Sequence, residues 1–322
     1  MVSIKDIAKQ AGVAISTVSY ALNGSPKVTE ETRAKILAVA KELNYVPNAA
    51  ARTLKKRKTK IIGAFLTDYG GSFFGELLRG MRKTLNEKGY DLIVCTGKES
   101  HRFLPEGIID GAIILDAHFP DEEIITYADR GHRIIVLDRE IDHPNIERVL
   151  LDNEMGAELA INFLLNNGHK NFVILTGSKE SYDSNRRLKA VKEIFSRYPS
   201  LNLTIIPGDF DKASGERAAK HILANYAEPV AVFSFNDEMA IGIYNYLEQS
   251  QYNVGEHVHI IGFDNIELSN YTRPRLATIH YSKEDWGKAA AEQLLKLIKK
   301  EKTERQKISV ELLEGESVQK LS

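Results

Sequence analysis

The chain has 322 residues and 36.1 kDa, with 43% apolar and 27% charged side chains, an ordinary globular mix too long for one small domain. No apolar run reaches the roughly 18 residues of a membrane span, and no secretory pattern follows Met1. The single cysteine, Cys95, excludes an internal disulfide or a multi-Cys metal centre and fits a cytoplasmic protein.

The net charge of −1 hides a split. Residues 1–60 hold 12 Lys and Arg against 4 Asp and Glu, a balance of +8, and the rest of the chain carries −9. A basic head on an acidic body points to a polyanion partner for the head. Within the head, Ile4, Ile7, Ala8 and Ala11 fall on one helix face before Gly12 breaks the chain. Val18, Ala21 and Leu22 form a second stripe, closed by Asn23-Gly24. Thr29 caps a third helix, with Glu30 and Glu31 in its first turn and Ile36, Val39, Ala40 and Leu43 on its apolar face. Three short helices, the first two joined by a tight glycine turn, read as a helix-turn-helix unit. Its second helix would enter the major groove with Ile15, Ser16 and Tyr20 reading bases, while Thr17, Ser19 and Asn23 hold phosphates. A three-helix protein-interaction module is the alternative at this point.

The next segment begins Tyr45-Val46-Pro47-Asn48 and continues through an alanine run to Leu54 and the basic run Lys55–Lys60. It has helical propensity but is too short to be stable alone. Leu54 has the character of an apolar wedge for a minor groove. Beyond it, strands are expected at 61–66, 92–95, 112–115, 134–137, 172–176, 204–206, 231–234 and 260–262. Helices are expected at 75–88, 155–166, 185–197, 215–225, 237–249 and 283–300. This alternation implies two doubly wound parallel α/β lobes, whose ligands gather at the C-terminal ends of the strands.

Ile4-Lys5-Asp6-Ile7-Ala8, Ala11-Gly12-Val13, Ser16-Thr17-Val18-Ser19, Leu22-Asn23-Gly24 and the stretch from Tyr45 to Leu54 resemble, in order and spacing, the head of the LacI/GalR family of bacterial transcription regulators. The resemblance runs through the body. It implies a small all-α helix-turn-helix head on an α/β body of two doubly wound lobes like a periplasmic binding protein. The limits are a headpiece at 1–46, a hinge helix and basic linker at 47–60, and an effector-binding and dimerisation domain at 61–322. By the same resemblance Asn48 joins the phosphate contacts, and Ala51 and Leu54 form the minor-groove hinge. Asp138, Arg187, Asn236 and Asp264 become polar effector contacts between walls of Phe73, Phe210 and Tyr281. Asp68 and Asp237 read instead as helix caps or loop salt bridges. The chain departs from the family pattern in four places. Tyr20 stands where arginine is usual, Ala14 where a capping serine is usual, and Ala190-Val191 where Gly-Phe is usual. Only Thr96–Ile109 joins the second and third strands, too short a crossover for a full helix.

Carboxylates accept from hydroxyls, Arg187 donates a planar fork, and aromatic faces cover a sugar ring, so the expected effector is a sugar or sugar derivative. The alternatives are a purine- or nucleoside-responsive regulator and a sugar-binding protein without a regulatory role. No P-loop, G-x-G-x-x-G, H-E-x-x-H or G-x-S-x-G motif is present, so no enzyme, catalytic residue, cofactor or metal is expected. The expected partners are pseudo-palindromic operator DNA, the small-molecule effector and a second copy in a homodimer, with no membrane. Leu77, Leu78, Met81 and Leu85 give the candidate dimer face, and the absence of a C-terminal heptad run favours a dimer over a tetramer.

Overall fold

In the computed structural model, which describes residues 2–46, 58–71, 73–227 and 229–321, the chain divides into two units, Met1–Lys58 and Thr59–Ser322. The first holds α1 (Ile4–Ala11), α2 (Ile15–Leu22) and α3 (Glu30–Glu42) around Ile7, Ala11, Val18, Ala21 and Ile36, the apolar stripes of the sequence. The Asp6 carboxylate accepts from both the Ser3 amide (2.8 Å) and its hydroxyl (2.7 Å) at the start of α1. Gly12 ends α1 in the left-handed region at φ +69°, which glycine enters without a steric cost. α2 starts at Ala14 with no side-chain cap, whereas Thr29 Oγ1 accepts from the Thr32 amide at 3.3 Å and opens α3.

The second unit carries two six-stranded sheets. One is built from β1 (Ile61–Leu66), β2 (Asp91–Cys95), β3 (Gly111–Leu115), β4 (Ile134–Val136), β5 (Ile146–Leu151) and β11 (Gln306–Ile308), in the order β11-β5-β4-β3-β1-β2. The other is built from β6 (Asn171–Leu175), β7 (Asn202–Ile206), β8 (Val230–Ser234), β9 (Val258–Phe263), β10 (Ala277–His280) and β12 (Glu311–Leu313), in the order β12-β10-β9-β8-β6-β7. Neighbours are parallel except β10 and β12. The connecting helices are α4 (Phe73–Glu87), α5 (Asp121–Asp129), α6 (Asn153–Asn166), α7 (Tyr182–Phe195), α8 (Lys212–Asn225), α9 (Asp237–Leu247) and α10 (Lys283–Lys299). The chain crosses between the sheets after β5, after β10 and between β11 and β12, so the C-terminal strand ends of the two lobes share one cleft.

The short crossover behaves as its length dictates. Residues 98–103 form only a 3₁₀ turn, leaving Val94 and Ile108 exposed. His101 fills part of the space a helix would occupy. It stacks on Phe119 at 3.6 Å between ring centroids and lies 3.2 Å from the Glu123 carboxylate.

Two readings need correction. Leu77, Met81 and Leu85 are fully buried inside their own chain and Leu78 is half-buried against the same core, so of the four only Leu78 keeps surface for a second copy. The cause is a close crossing with α10. A β-carbon at Gly80 would overlap the Glu284 backbone, and one at Gly287 would overlap the Leu77 carbonyl. Asp237 is neither a cap nor a salt bridge. Its fully buried carboxylate accepts from the Thr278 hydroxyl (2.7 Å) and the Ile266 amide (2.9 Å), tying β10 to the loop after β9.

Two outcomes follow. Gly80→Ala should push α4 from α10 and cost about 1–3 kcal/mol, as overpacking does; urea denaturation giving an unchanged midpoint would refute the crossing. Burial, reinforced by Asp264, pushes the Asp237 carboxyl from its ordinary 3.8 up to about 7. The folded chain then keeps a proton the unfolded chain has released, so this group's stabilisation is full below its unfolded pKa and falls as pH rises toward 7. Asp237→Asn, which cannot ionise, should gain on the wild type between pH 4 and 7.5 in denaturation series. A constant difference across that range would mean the carboxyl does not titrate there.

Candidate ligand cleft and DNA-reading helix

The cleft is organised by the chain immediately after β9. Asp264 (φ +103°) and Asn265 (φ +46°) both adopt left-handed backbone, which non-glycine residues hold only when their surroundings enforce it. Lys283, 1% exposed at the start of α10, does so by donating to the Asp264 carbonyl and, at 3.4 Å, to that of Asn265. The Glu76 carboxylate lies 3.8 Å from the same ammonium. This clamp fixes the Asp264 side chain, whose Oδ1 accepts from the Tyr281 hydroxyl at 2.7 Å. Burial pushes the Asp264 carboxyl up, against the opposing pull of Arg187 and Lys283.

Arg187, on α7, lies flat over Phe263 with its guanidinium carbon 3.4 Å from the ring centroid. Nε donates to Asn153 Oδ1 at 2.9 Å and Nη1 to the Phe235 carbonyl. Asn153 in turn donates to Asp183 Oδ1 at 2.7 Å. Burial pushes Asp183 up to about 6; Arg187 and Asn153 oppose this, and the charges of Asp138 and Asp264 add to it. Among the described residues, Arg187 Nη2, Asp264 Oδ2 and Asp183 Oδ2 have no hydrogen-bond partner, and none is a sealed, orphaned atom. The floor beneath is aromatic: Phe263, Tyr281, Trp286 and Phe73 follow one another at centroid spacings of 6.0, 5.9 and 6.4 Å.

The expected contact residues therefore fall into three groups. Arg187, Asp264, Tyr281 and Phe73 belong to one connected cluster. Asn236 and Phe210 form a second: Asn236 accepts from the Met239 amide as the cap of α9, and its NH₂ donates to the Phe210 carbonyl, both at 2.9 Å. Phe210, itself at φ +61°, presses its ring where a β-carbon on Gly177 would stand, so only glycine admits it. Asp138 sits on the other lobe with both oxygens on Arg139, at 2.8 and 3.1 Å. Arg139 also binds the Asp116 and Phe119 carbonyls and the Asp121 carboxylate. Across the cleft rim the Tyr182 hydroxyl donates to Glu140 at 2.7 Å, joining the lobes directly. Asp68 accepts from the Tyr69 and Gly70 amides and shapes its own loop.

Three cleft residues escaped the sequence reading. Asn153 follows β5, a strand whose Glu147 and Arg148 hid it. Asp183 lies four residues before Arg187, hence on the same helix face, a signal that was available. Lys283 looks like any polar residue in a first turn; only the left-handed loop it clamps reveals it.

In the head, Ile15 (47% exposed), Ser16 and Tyr20 (36%) face outward from α2. Thr17 and Ser19 are half-buried beside them, and the exposed Asn23 donates to the Ser19 carbonyl at 2.7 Å. Asn48, Ala51 and Leu54 lie outside the described residues.

Comparison with known proteins agrees with this architecture. Residues 3–48 match the bacterial regulatory proteins of the lacI family, and residues 161–318 match the periplasmic binding protein-like domain. The HTH-type transcriptional repressor PurR of Aliivibrio fischeri (strain ATCC 700601 / ES114) is 35% identical over 321 residues, covering 95% of this chain and 94% of that protein. The ribose operon repressor of Escherichia coli (strain K12) is 31% identical over 323 residues, covering 96% and 97%. A solved sugar-binding transcriptional regulator (LacI family) from Enterococcus faecalis is 50% identical, with a TM-score of 0.78 over 82% of this chain and 99% of that one. The lac repressor dimer bound to operator and the anti-inducer ONPF, at 23% identity, shares the fold with a TM-score of 0.85 over 99% of both chains. The chain belongs to the LacI family of DNA-binding transcriptional repressors, with a helix-turn-helix head and a periplasmic-binding-protein-like effector domain.

Proposed function

We propose that the repressor's operator affinity is controlled by a neutral sugar or sugar derivative, held in the cleft by Arg187, Asp264 and Asp183 over the aromatic floor. The observation that carries this reading is the set of open polar atoms: two carboxylate oxygens that only accept and one guanidinium nitrogen that only donates. Vicinal hydroxyls, each both donor and acceptor, satisfy such a set in several orientations, whereas a purine satisfies it only with its N–H groups turned to the carboxylates and an acceptor turned to Arg187. The sugar-binding regulator at 50% identity and the ribose operon repressor support the same class. The purine-repressor relatives favour a second reading, a purine or nucleoside effector. Asp138 with Arg139 completes the site from the first lobe, Phe73, Phe210 and Tyr281 wall it, and Asn236 holds the Phe210 loop in place.

On the DNA side, Ile15, Ser16 and Tyr20 set operator choice, and Thr17, Ser19, Asn23 and Asn48 engage phosphates. Residues 47–60 form the hinge and linker between a 1–46 headpiece and the 61–322 body, with Ala51 and Leu54 entering the minor groove. One short recognition helix reads few base pairs, so a cytoplasmic homodimer on a pseudo-palindromic operator is the working form. A monomeric mass by light scattering at micromolar concentration would contradict that.

The effector reading is tested by thermal unfolding with millimolar D-ribose, D-glucose or hypoxanthine, since a ligand of the folded state raises the midpoint. A sugar should stabilise the wild type and hypoxanthine should not. Asp264→Asn should lose roughly 1.5–3 kcal/mol of sugar binding, the worth of a hydrogen bond to a charged group. Its operator affinity without ligand should stay near that of the wild type. Stabilisation by hypoxanthine alone would establish the second reading instead.

A further inference from the structure

Tyr20 stands on α2 at an outward position where the LacI/GalR pattern usually places arginine. A tyrosine brings a ring and a hydroxyl but no charge, and guanine is read best by a cation with several donors. The structure supplies a cation beside it. The Lys27 ammonium lies over the Tyr20 ring, 5.3 Å from its centroid.

This approach is held by the backbone on both sides. Gly24 turns the chain at φ +65°, and the Ser25 amide then donates to the Tyr20 carbonyl at 2.9 Å, folding the segment back over the end of α2. Arg33, on α3, donates to the Ser25 carbonyl at 2.8 Å and pairs with Glu30. Val28, the residue after Lys27, is buried in the head core. Lys27 is therefore carried on a segment fixed at Ser25 and at Val28. Its own side chain and that of Tyr20 remain outside the core, on the same side of the head.

We propose that Lys27 is a further operator-specificity residue that acts with Tyr20 as one reading unit. The ring supplies shape and a hydroxyl to the base edges. The ammonium pins the ring from above and donates to guanine O6 and N7, the role a guanidinium would otherwise fill. A cation over an aromatic face contributes modestly in water and more once a partner surface excludes it, so the pair couples most strongly in the groove. The inference rests on Tyr20 being a base reader.

The experiment uses the full-length chain and five proteins: wild type, Tyr20→Ala, Lys27→Ala, the double variant and Lys27→Arg. Selection from random duplexes gives each consensus, and titrations against the preferred and a scrambled duplex at several salt concentrations give affinities. Lys27→Ala should change the consensus at the base pairs that Tyr20→Ala also changes, and lower affinity for the preferred operator about tenfold, as loss of one good base contact does. The double variant should lose at least about threefold less than the product of the single losses, the signature of a coupled pair. Lys27→Arg should keep the wild-type consensus. If Lys27→Ala keeps the consensus and weakens both duplexes by one factor, with a shallower salt slope, Lys27 is a phosphate contact and the proposal fails. Multiplicative losses would overturn it as well. An unchanged consensus in Tyr20→Ala would instead remove Tyr20 as a base reader, and the paired unit with it. Unaltered thermal unfolding of each variant separates these outcomes from a damaged head.

Discussion

Everything in the cleft depends on keeping the Arg187 guanidinium charged while it is 3% exposed. Burying an unpaired cation is costly, so the surroundings must replace water on every side. The Phe263 face takes one side of the plane, Asn153 and the Phe235 carbonyl take two donors, and the charges of Asp183 and Asp264 set the local potential. What remains open is one guanidinium nitrogen beside two carboxylate oxygens. The same groups that make the buried charge tolerable thus set which polar atoms the cleft leaves open. The arrangement extends outward through Lys283, whose buried ammonium keeps Asp264 and Asn265 in the left-handed conformation that aims the carboxylate.

How far this was legible in the sequence follows from the range of each interaction. The head was readable because apolar residues recur at helical spacing within each helix, as Ile4, Ile7, Ala8 and Ala11 do, and Gly12 and Thr29 mark the ends, all local signals. The buried parallel strands were readable as apolar runs between helices. β5, with Glu147 and Arg148 inside it, and β10 to β12, of three or four residues, carry too little pattern to stand out. α5 escaped because it buries only Ile124 and Ala128. Arg187, Asp264 and Tyr281 came from the family resemblance, and the contacts that unite them span 17 to 48 positions, beyond any local pattern. The misassigned dimer face has the same origin. Leu77, Met81 and Leu85 look like surplus until the Gly80–Gly287 crossing shows that α10 covers them.

The two recognition surfaces lie in different units, the head reading DNA and the body holding the effector cleft. A ligand alters operator affinity only if it binds two states of the protein unequally. In the body the two lobes share three crossings and touch across the rim through Tyr182 and Glu140, so any change in their relative placement acts on that contact.

Thermodynamic linkage makes the central claim measurable without any assumption about the path between the surfaces. The affinity of the sugar that most stabilises the protein is measured by calorimetry with free repressor and with repressor saturated by operator. Operator affinity is then measured with and without that sugar. If cleft occupancy controls DNA binding, the two ratios must be equal and differ from one, by about 5- to 150-fold for a typical coupling. A sugar that binds equally tightly with and without operator would contradict the account.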